Sequence, residues 1–340
     1  MKFNSNPNIM FVIEQYAIAV LFCILTMLAW GSWANTQKLA SPGWRFELYY
    51  WDYVFGVLIF ALVLALTAGN TGTSGRPFTE DLAQASIENL GLAFLGGVLF
   101  NAANILLVAA ITLAGMSVAF PVGIGLALVI GVIVNYLESP VGQAGVLFIG
   151  VALVAFAIIL NAIAYKRLSK VRNKVPGKGL ILAILAGGLM GLFYSYVAQS
   201  MFPEFTNPLP GKLSPYTAIV VFSLGVLGSN LLFNTLLMRL PLEGNRLVFR
   251  DYFKGSVRDH GMGLLGGAIW CLGMSFSILA SDKAGPAISY GLGQGATVVA
   301  ALWGIYIWKE FKGSSNSVHR LLYAMLTLYL LGLSLIVLAR

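Results

Sequence analysis

Charge is what this chain has least of. Only 10% of its 340 residues are charged against 58% hydrophobic, and the mean hydropathy is +0.83. A soluble domain carries about 25% charged residues, so this chain cannot clothe a water-facing surface. Cysteine and histidine are as scarce, with two of each. Cys23 and Cys271 both fall inside apolar runs, which argues against a disulfide scaffold and for packed thiols. His260 and His319 lie far apart, so no metal-ligand spacing exists and no cofactor is expected. A phosphate-binding G-x-x-x-x-G-K-[ST] loop is missing too: Gly211-Lys212 lacks the upstream glycine and the following Ser/Thr, and no ATP-driven motor is visible. With no nucleophile, metal cluster or acid–base pair at convincing spacing, an enzyme is not expected. The first residues also lack the compact apolar core and cleavage site of a removable leader.

What fills the chain instead is apolar runs of about 20 residues, the length that crosses a bilayer as a helix. A transmembrane barrel would show alternating segments of about 10 residues. Ten spans are expected, at 14–36, 48–68, 90–113, 117–137, 143–165, 179–201, 215–238, 262–281, 284–308 and 318–339. The expected fold is an all-α polytopic membrane protein with the lipid bilayer as its partner. No motif assigns an oligomeric state.

The net charge of +8 is no footprint for nucleic acid, because the basic residues sit in short connections. All 21 Lys and Arg except Lys2, Arg76, Lys212, Lys283 and Arg340 fall on the side of the odd-numbered connections. The positive-inside rule places that side in the cytoplasm and both termini outside, in a multi-pass protein of the plasma (inner) membrane.

The chain also repeats. Slid along itself by one constant shift, it superposes Leu95-Gly96-Gly97 on Leu265-Gly266-Gly267, Ala114-Gly115 on Ala284-Gly285, and Tyr136 on Tyr306, with ten identities in the 42 positions 95–136. A five-span repeat starts its second copy on the opposite side of the membrane. The expected organisation is one five-helix repeat at 1–165, a basic cytoplasmic connection at 166–178, and a second, inverted repeat at 179–340. Secondary transporters recur in this form, with the substrate near midplane at the repeat interface. Small residues four apart, such as Gly187 and Gly191, let such helices pack closely.

Polar residues in these spans are the candidates for chemistry. The stretch 30–52, WGSWANTQKLASPGWRFELYYWD, holds four of the seven tryptophans and two acids. Asp52 lies about one turn inside the second span and Glu47 at its mouth. A carboxylate in a low-dielectric site can exchange a proton, which makes both candidates for proton coupling; alternatively Asp52 pairs with Lys38 or Arg45, or meets interfacial water. Trp30 and Trp33 are one turn apart with Gln37 on a similar face, and Asn35 lies between them and Gln37. Aromatic faces and amides suit a flat, uncharged polar solute, while an aromatic belt at the membrane interface reads equally well. Asn101 and Asn104, Asn230 and Asn234, Tyr194 and Gln199, and Tyr290 and Gln294 with Thr297 place polar groups in four further spans. Each pair alone reads as interhelical glue, but four sets together favour a shared polar cavity. No interior span carries a basic residue, so a phosphorylated solute has no fixed cation to meet.

At WGSWANTQKL (30–39) and FELYYWDY (46–53) the chain resembles the ureide permease-like transporters of the drug/metabolite transporter superfamily, near the glucose/ribose and rhamnose uptake families. The resemblance implies an inverted five-plus-five helix fold and a central cavity. It further implies uptake of a small neutral polar solute, ureide- or nucleobase-like or a sugar, coupled to protons or to sodium in their place. It carries over Trp30, Gly31, Trp33, Asn35, Thr36, Gln37, Glu47, Tyr50 and Asp52. Plant ureide permeases carry a long central cytoplasmic loop with a nucleotide-binding-like motif; here that loop is the short basic stretch 166–178. Export of drugs or metabolites is the alternative within the superfamily, and a non-transporting membrane scaffold is the alternative outside it.

Overall fold

The computed structural model describes residues 9–72, 74–168, 177–242 and 244–340, and most of the basic connection 166–178 lies outside them. Apart from two isolated bridges, Met10 to Ser74 and Met201 to Leu213, the regular structure among the described residues is helical. The first half holds α1 (Tyr16–Ser32), α2 (Asn35–Leu39), α3 (Phe46–Leu66), α4 (Phe78–Gln84), α5 (Ile87–Ala114), α6 (Met116–Glu138) and α7 (Ala144–Leu168). The second holds α8 (Gly177–Ser200), α9 (Pro215–Arg239), α10 (Phe249–Tyr252), α11 (Val257–Ala284), α12 (Pro286–Gly293), α13 (Ala296–Leu302) and α14 (Asn316–Leu338). Among the described residues, nine helices are long and apolar enough to cross a membrane, one of them formed by α12, α13 and the π-turn Trp303–Ile307 together; α1, 17 residues long, is a shorter apolar helix. The protein is an integral multi-pass membrane protein.

The bundle has two ends. At one, Ser41 N–H donates to Asp259 (2.7 Å), Lys38 meets Glu310 (3.0 Å), and the Asn35 amide oxygen accepts from Trp308; we call this the basic end. At the far end, the Tyr16 phenol donates to the Val337 carbonyl (2.6 Å), Tyr216 to Phe11 (3.0 Å), and Asn89 to Gly211 (3.0 Å). Chain segments 9–15 and 337–340 both lie at the far end.

α5 and α11 are the two longest helices among the described residues, and their caps show why the sequence stops and starts them where it does. Each is 28 residues long. Each opens on a serine, Ser86 or Ser256, whose hydroxyl accepts from the backbone N–H three residues on, removing one orphan donor. Each ends at a glycine of positive φ, Gly115 at 78° and Gly285 at 83°, a conformation that a Cβ would strain. The same shift that superposes Leu95 on Leu265 relates all of these features. It also relates the partners of the first turns: Asn89 reaches Gly211, and Asp259 is reached by Ser41. α5 packs on α8 and α9, and α11 packs on α1 and α3. Glycines permit the two closest crossings: a Cβ on Gly97 would overlap the Phe222 carbonyl oxygen, and one on Gly267 would overlap that of Tyr53.

Two expected spans are not continuous helices. The first breaks at Trp33–Ala34 between α1 and α2, and the ninth breaks at Gln294–Gly295 between α12 and α13. The Thr297 hydroxyl bonds to Tyr329 (2.6 Å) on α14, while Tyr290 donates to the carbonyls of Ala127 (3.2 Å) and Met190 (3.0 Å).

Candidate functional site

Three groups of polar side chains interrupt the apolar bundle. The first is at the basic end. Asp52, near the start of α3, is only 2% exposed. Gly263 on α11 makes room for it, since a Cβ there would overlap that of Asp52. One carboxylate oxygen lies 2.9 Å from His260 Nδ1 on α11, and the other accepts from the phenol of Tyr252 on α10. Burial and the neighbouring Asp52 push the Tyr252 phenol above its ordinary pKa, so it stays a donor. The edge of Trp44 packs against the imidazole, ring centroids 5.6 Å apart. Asp52 thus bridges the two halves of the chain. The expected alternatives, Lys38 and Arg45, are engaged elsewhere: Lys38 with Glu310, and Arg45 in a two-point pair with Glu47. That pairing makes Glu47, 7% exposed, a charge held at the α3 N-terminus, where the helix dipole favours it.

The second group lies between α3, α5 and α9. The Tyr50 phenol donates to Asn101 Oδ1 (2.9 Å) and accepts from Asn104 Nδ2 (3.0 Å), and Asn101 Nδ2 donates to the Ser229 hydroxyl (2.9 Å). Asn234 Nδ2 donates to the Glu47 carbonyl (2.9 Å), whereas Asn234 Oδ1 and both polar atoms of the fully buried Asn230 have no partner. Each unmade bond costs about 1–3 kcal/mol, so α9 carries polar atoms that this packing does not use. Beside this network stands an aromatic core. Phe100 and Trp270, superposed by the same shift of the sequence, pack with centroids 4.2 Å apart; Trp30 stacks on Trp270 at 6.0 Å, and Trp33 meets Tyr53 at 4.9 Å. Trp30 and Trp33 are thus half-buried and pack against the core. Gln37 is half-buried at the basic end, outside these groups.

The third group lies beneath a cavity. A vestibule of about 520 Å³ opens at the far end between α5, α6, α8, α11 and α12, and Gln199, Asn135 and Ser281 line it. One turn deeper on the same helices come Ser195, Gly131 and Ser277. Gln199 Nε2 donates to the Ser195 hydroxyl (2.9 Å), and Asn135 Nδ2 to the Gly131 carbonyl (2.8 Å), against which the Tyr290 ring packs. The Tyr194 hydroxyl lies 3.1 Å from Ser277 Oγ, and Ser289 Oγ is 3.1 Å from that same atom. Four polar hydroxyls thus sit under the vestibule floor. A smaller cavity of about 140 Å³ at the basic end is lined by Asn35 together with Asn161, Tyr165, Trp308 and Glu310.

The sequence candidates therefore divide. Asn35 and Gln199 face cavities, Asp52 joins the two halves, Asn101 and Asn104 are joined through Tyr50, Asn234 reaches the Glu47 carbonyl, Asn230 is buried without a partner, and Tyr194 sits below the vestibule. Gln294 is at a helix break, 9% exposed. His260, Tyr252, Ser277, Ser289 and Asn135 were missed. Serines at 277 and 289 inside apolar runs carried a weak signal; the pairing of His260 with a residue 208 positions away carried none.

An apolar helical bundle interrupted by buried polar groups and open to a vestibule is the build of a membrane transporter. Residues 49–170 and 162–339 match the ureide permease family model, and the chain belongs to that family. It is 24% identical to ureide permease 1 of Arabidopsis thaliana over 96% of this chain and 98% of the relative, and 23% identical to ureide permease 5 of the same plant over 96% and 95%. YxfA of Lactococcus lactis subsp. lactis (strain IL1403), named as a putative sugar uptake protein, is 23% identical over 88% of this chain and 92% of its own length. One solved crystal structure superposes on 95% of this chain and 98% of its own with a TM-score of 0.62 at 14% identity, a likeness of fold alone.

Proposed function

We propose that this protein is a secondary transporter that couples inward proton movement to uptake of a small neutral polar metabolite, ureide- or nucleobase-like, with ribose, glucose or rhamnose as the second class. The observation that carries the reading is the bridge at Asp52. It is a buried carboxylate joining α3 to α11, held by a phenol and an imidazole rather than by a permanent cation, so gain or loss of one proton alters a contact between the halves. Such a contact is what alternating access has to break and remake.

In this reading the spans number ten, in two inverted five-helix repeats, 1–165 and 179–340. The shared length, caps and glycine ends of α5 and α11 at matched positions support this, as does the run of α1 from the far end to the basic end. The basic end is cytoplasmic and both termini are outside. The solute enters the vestibule past Gln199 and Asn135 and is held over the Tyr194, Ser277 and Ser289 hydroxyls, with Trp30, Trp33, Asn101, Asn104, Tyr290 and Gln294 around the path. The unpaired amides of Asn230 and Asn234 meet the solute or water when the basic end opens, and Asn35 and Gln37 lie at the exit. Glu47, neutralised by Arg45, acts with Asp52 only through their shared helix end.

The test is uptake of allantoin, uracil and the three sugars into proteoliposomes with an imposed proton gradient. Accumulation that needs the gradient is expected for one of these classes. An Asp52→Asn variant that accumulates solute normally would sink the coupling role.

A further inference from the structure

The connection between α9 and α11 has two faces. Inward, Leu247 and Tyr252 pack on a small cluster of Leu48, Trp51 and Met238. The Leu247 N–H donates to the Met238 carbonyl at 2.9 Å, and the Tyr252 phenol donates to Asp52. Outward, Val248, Phe249 and Phe253 are exposed, as is Val257 at the start of α11; Phe253 is 78% open and Val257 91%. In two other connections at the basic end the large aromatics are covered, Trp44 being half-buried and Phe311 buried. The outward face is also basic. Arg246, Arg250, Lys254 and Arg258 are all exposed, against one carboxylate in residues 244–258. That carboxylate, Asp251, is taken by Lys254 (2.6 Å) and the Val248 N–H (2.9 Å). Asp259, just beyond, is buried and accepts from Ser41 and Ser256. Arg258 donates to the Leu39 carbonyl (2.8 Å), and among the described residues Arg246 and Arg250 meet no carboxylate.

This face continues a lipid-facing surface. Leu232, Leu236 and Leu240 are exposed at four-residue spacing on α9 and its C-cap, an apolar stripe that runs to the basic end. The connection then returns directly into α11, a second helix able to cross the membrane. Exposed rings beside cations at the mouth of two spans have the chemistry of an interfacial segment: rings settle at the acyl boundary while Arg and Lys reach the headgroups. A cluster of cations next to a span attracts anionic lipid, and a guanidinium meets phosphate through two parallel hydrogen bonds. We propose that residues 246–258 form a binding surface for an anionic phospholipid. Phe249, Phe253 and Val257 enter the acyl boundary, and Arg246 and Arg250 take the headgroup phosphate. Because Tyr252 lies between the two phenylalanines, the seated lipid steadies the element that donates to Asp52. The surface stands or falls without the transport reading.

The test uses the full chain in neutral detergent, with an environment-sensitive fluorophore on Phe253→Cys; the two native cysteines are fully buried and stay unlabelled. Short-chain phosphatidylglycerol is expected to blue-shift the fluorophore and to raise Tm of the unlabelled protein. Phosphatidylcholine of the same chain length, and glycerol phosphate as the headgroup without chains, are expected to do neither. Arg246→Gln combined with Arg250→Gln is expected to weaken the phosphatidylglycerol response about tenfold. Lys312→Gln combined with Arg320→Gln, exposed elsewhere at the same end, is expected to leave it unchanged. An equal response to phosphatidylcholine would make the face a neutral lipid contact, and one to glycerol phosphate a simple phosphate site. A blue shift that grows with protein concentration alone would make it a contact between copies. Each of these overturns the proposal, as does no response to phosphatidylglycerol or an equal loss in both paired variants.

Discussion

At the scale of single residues, two side chains separate coupling from binding. Asp52 touches His260 and Tyr252 but lies at the basic end, away from the vestibule. Asp52→Asn is therefore expected to lower gradient-driven accumulation by about tenfold or more while sparing solute exchange at equal pH on both sides; equilibrium counterflow against driven uptake measures the difference. Tyr194 is the opposite case. Its hydroxyl joins Ser277 and Ser289 under the vestibule floor, and a net hydrogen bond contributes about 1 kcal/mol. Tyr194→Phe should raise KM about fivefold with little change in Tm. A large fall in Tm with unchanged KM would make that cluster packing alone. Asp52 and Tyr194 were legible in the sequence because a polar residue in an apolar run is conspicuous. Their partners were not, because His260 and Ser277 are brought to them by helix packing across 208 and 83 residues of chain.

At the scale of elements, glycine decides how closely helices cross. Gly97 against Phe222 and Gly267 against Tyr53 leave no space for a methyl group, and the obstacle in both cases is backbone. Gly97→Ala and Gly267→Ala should each cost about 1–3 kcal/mol or more by forcing the helices apart. Gly125, with open space around it, should accept alanine with a gain of up to about 1 kcal/mol in helix propensity. Melting of the three purified variants checks this, and equal behaviour of all three would remove the packing argument. The turn at Gly115 was readable from the Ala-Gly pair between apolar runs, whereas α11 runs from Val257 to Ala284, past both ends of the expected 262–281. The breaks at Trp33–Ala34 and Gln294–Gly295 were not readable, since neither carries a proline; the Thr36 and Thr297 hydroxyls take up the Trp33 and Gln294 carbonyls there.

At the scale of the whole molecule, the two ends differ in charge, and the proposed orientation rests on that difference. Cys23 and Cys271 are both fully buried, so introduced cysteines report without background. Thr71→Cys at the far end should react with a membrane-impermeant maleimide in intact cells, and Arg250→Cys at the basic end only after permeabilisation. The reverse pattern would invert the proposed orientation and, with it, the direction of the vestibule.

The sequence by itself determined that this is a polytopic helical membrane protein, where its apolar runs lie, which end is basic, and that the stretches 95–136 and 265–306 resemble each other. Those properties follow from composition and periodicity, which act locally along the chain. Only the tertiary structure decided that Asp52 meets His260 and Tyr252 rather than Lys38 or Arg45, that Trp30 and Trp33 pack against Trp270 and Tyr53, and that Asn135 and Gln199 line one cavity. In an apolar bundle the helices are nearly alike in hydropathy all round, so the burying of each face is set by glycine contacts and polar pairing between distant segments, which no local pattern encodes.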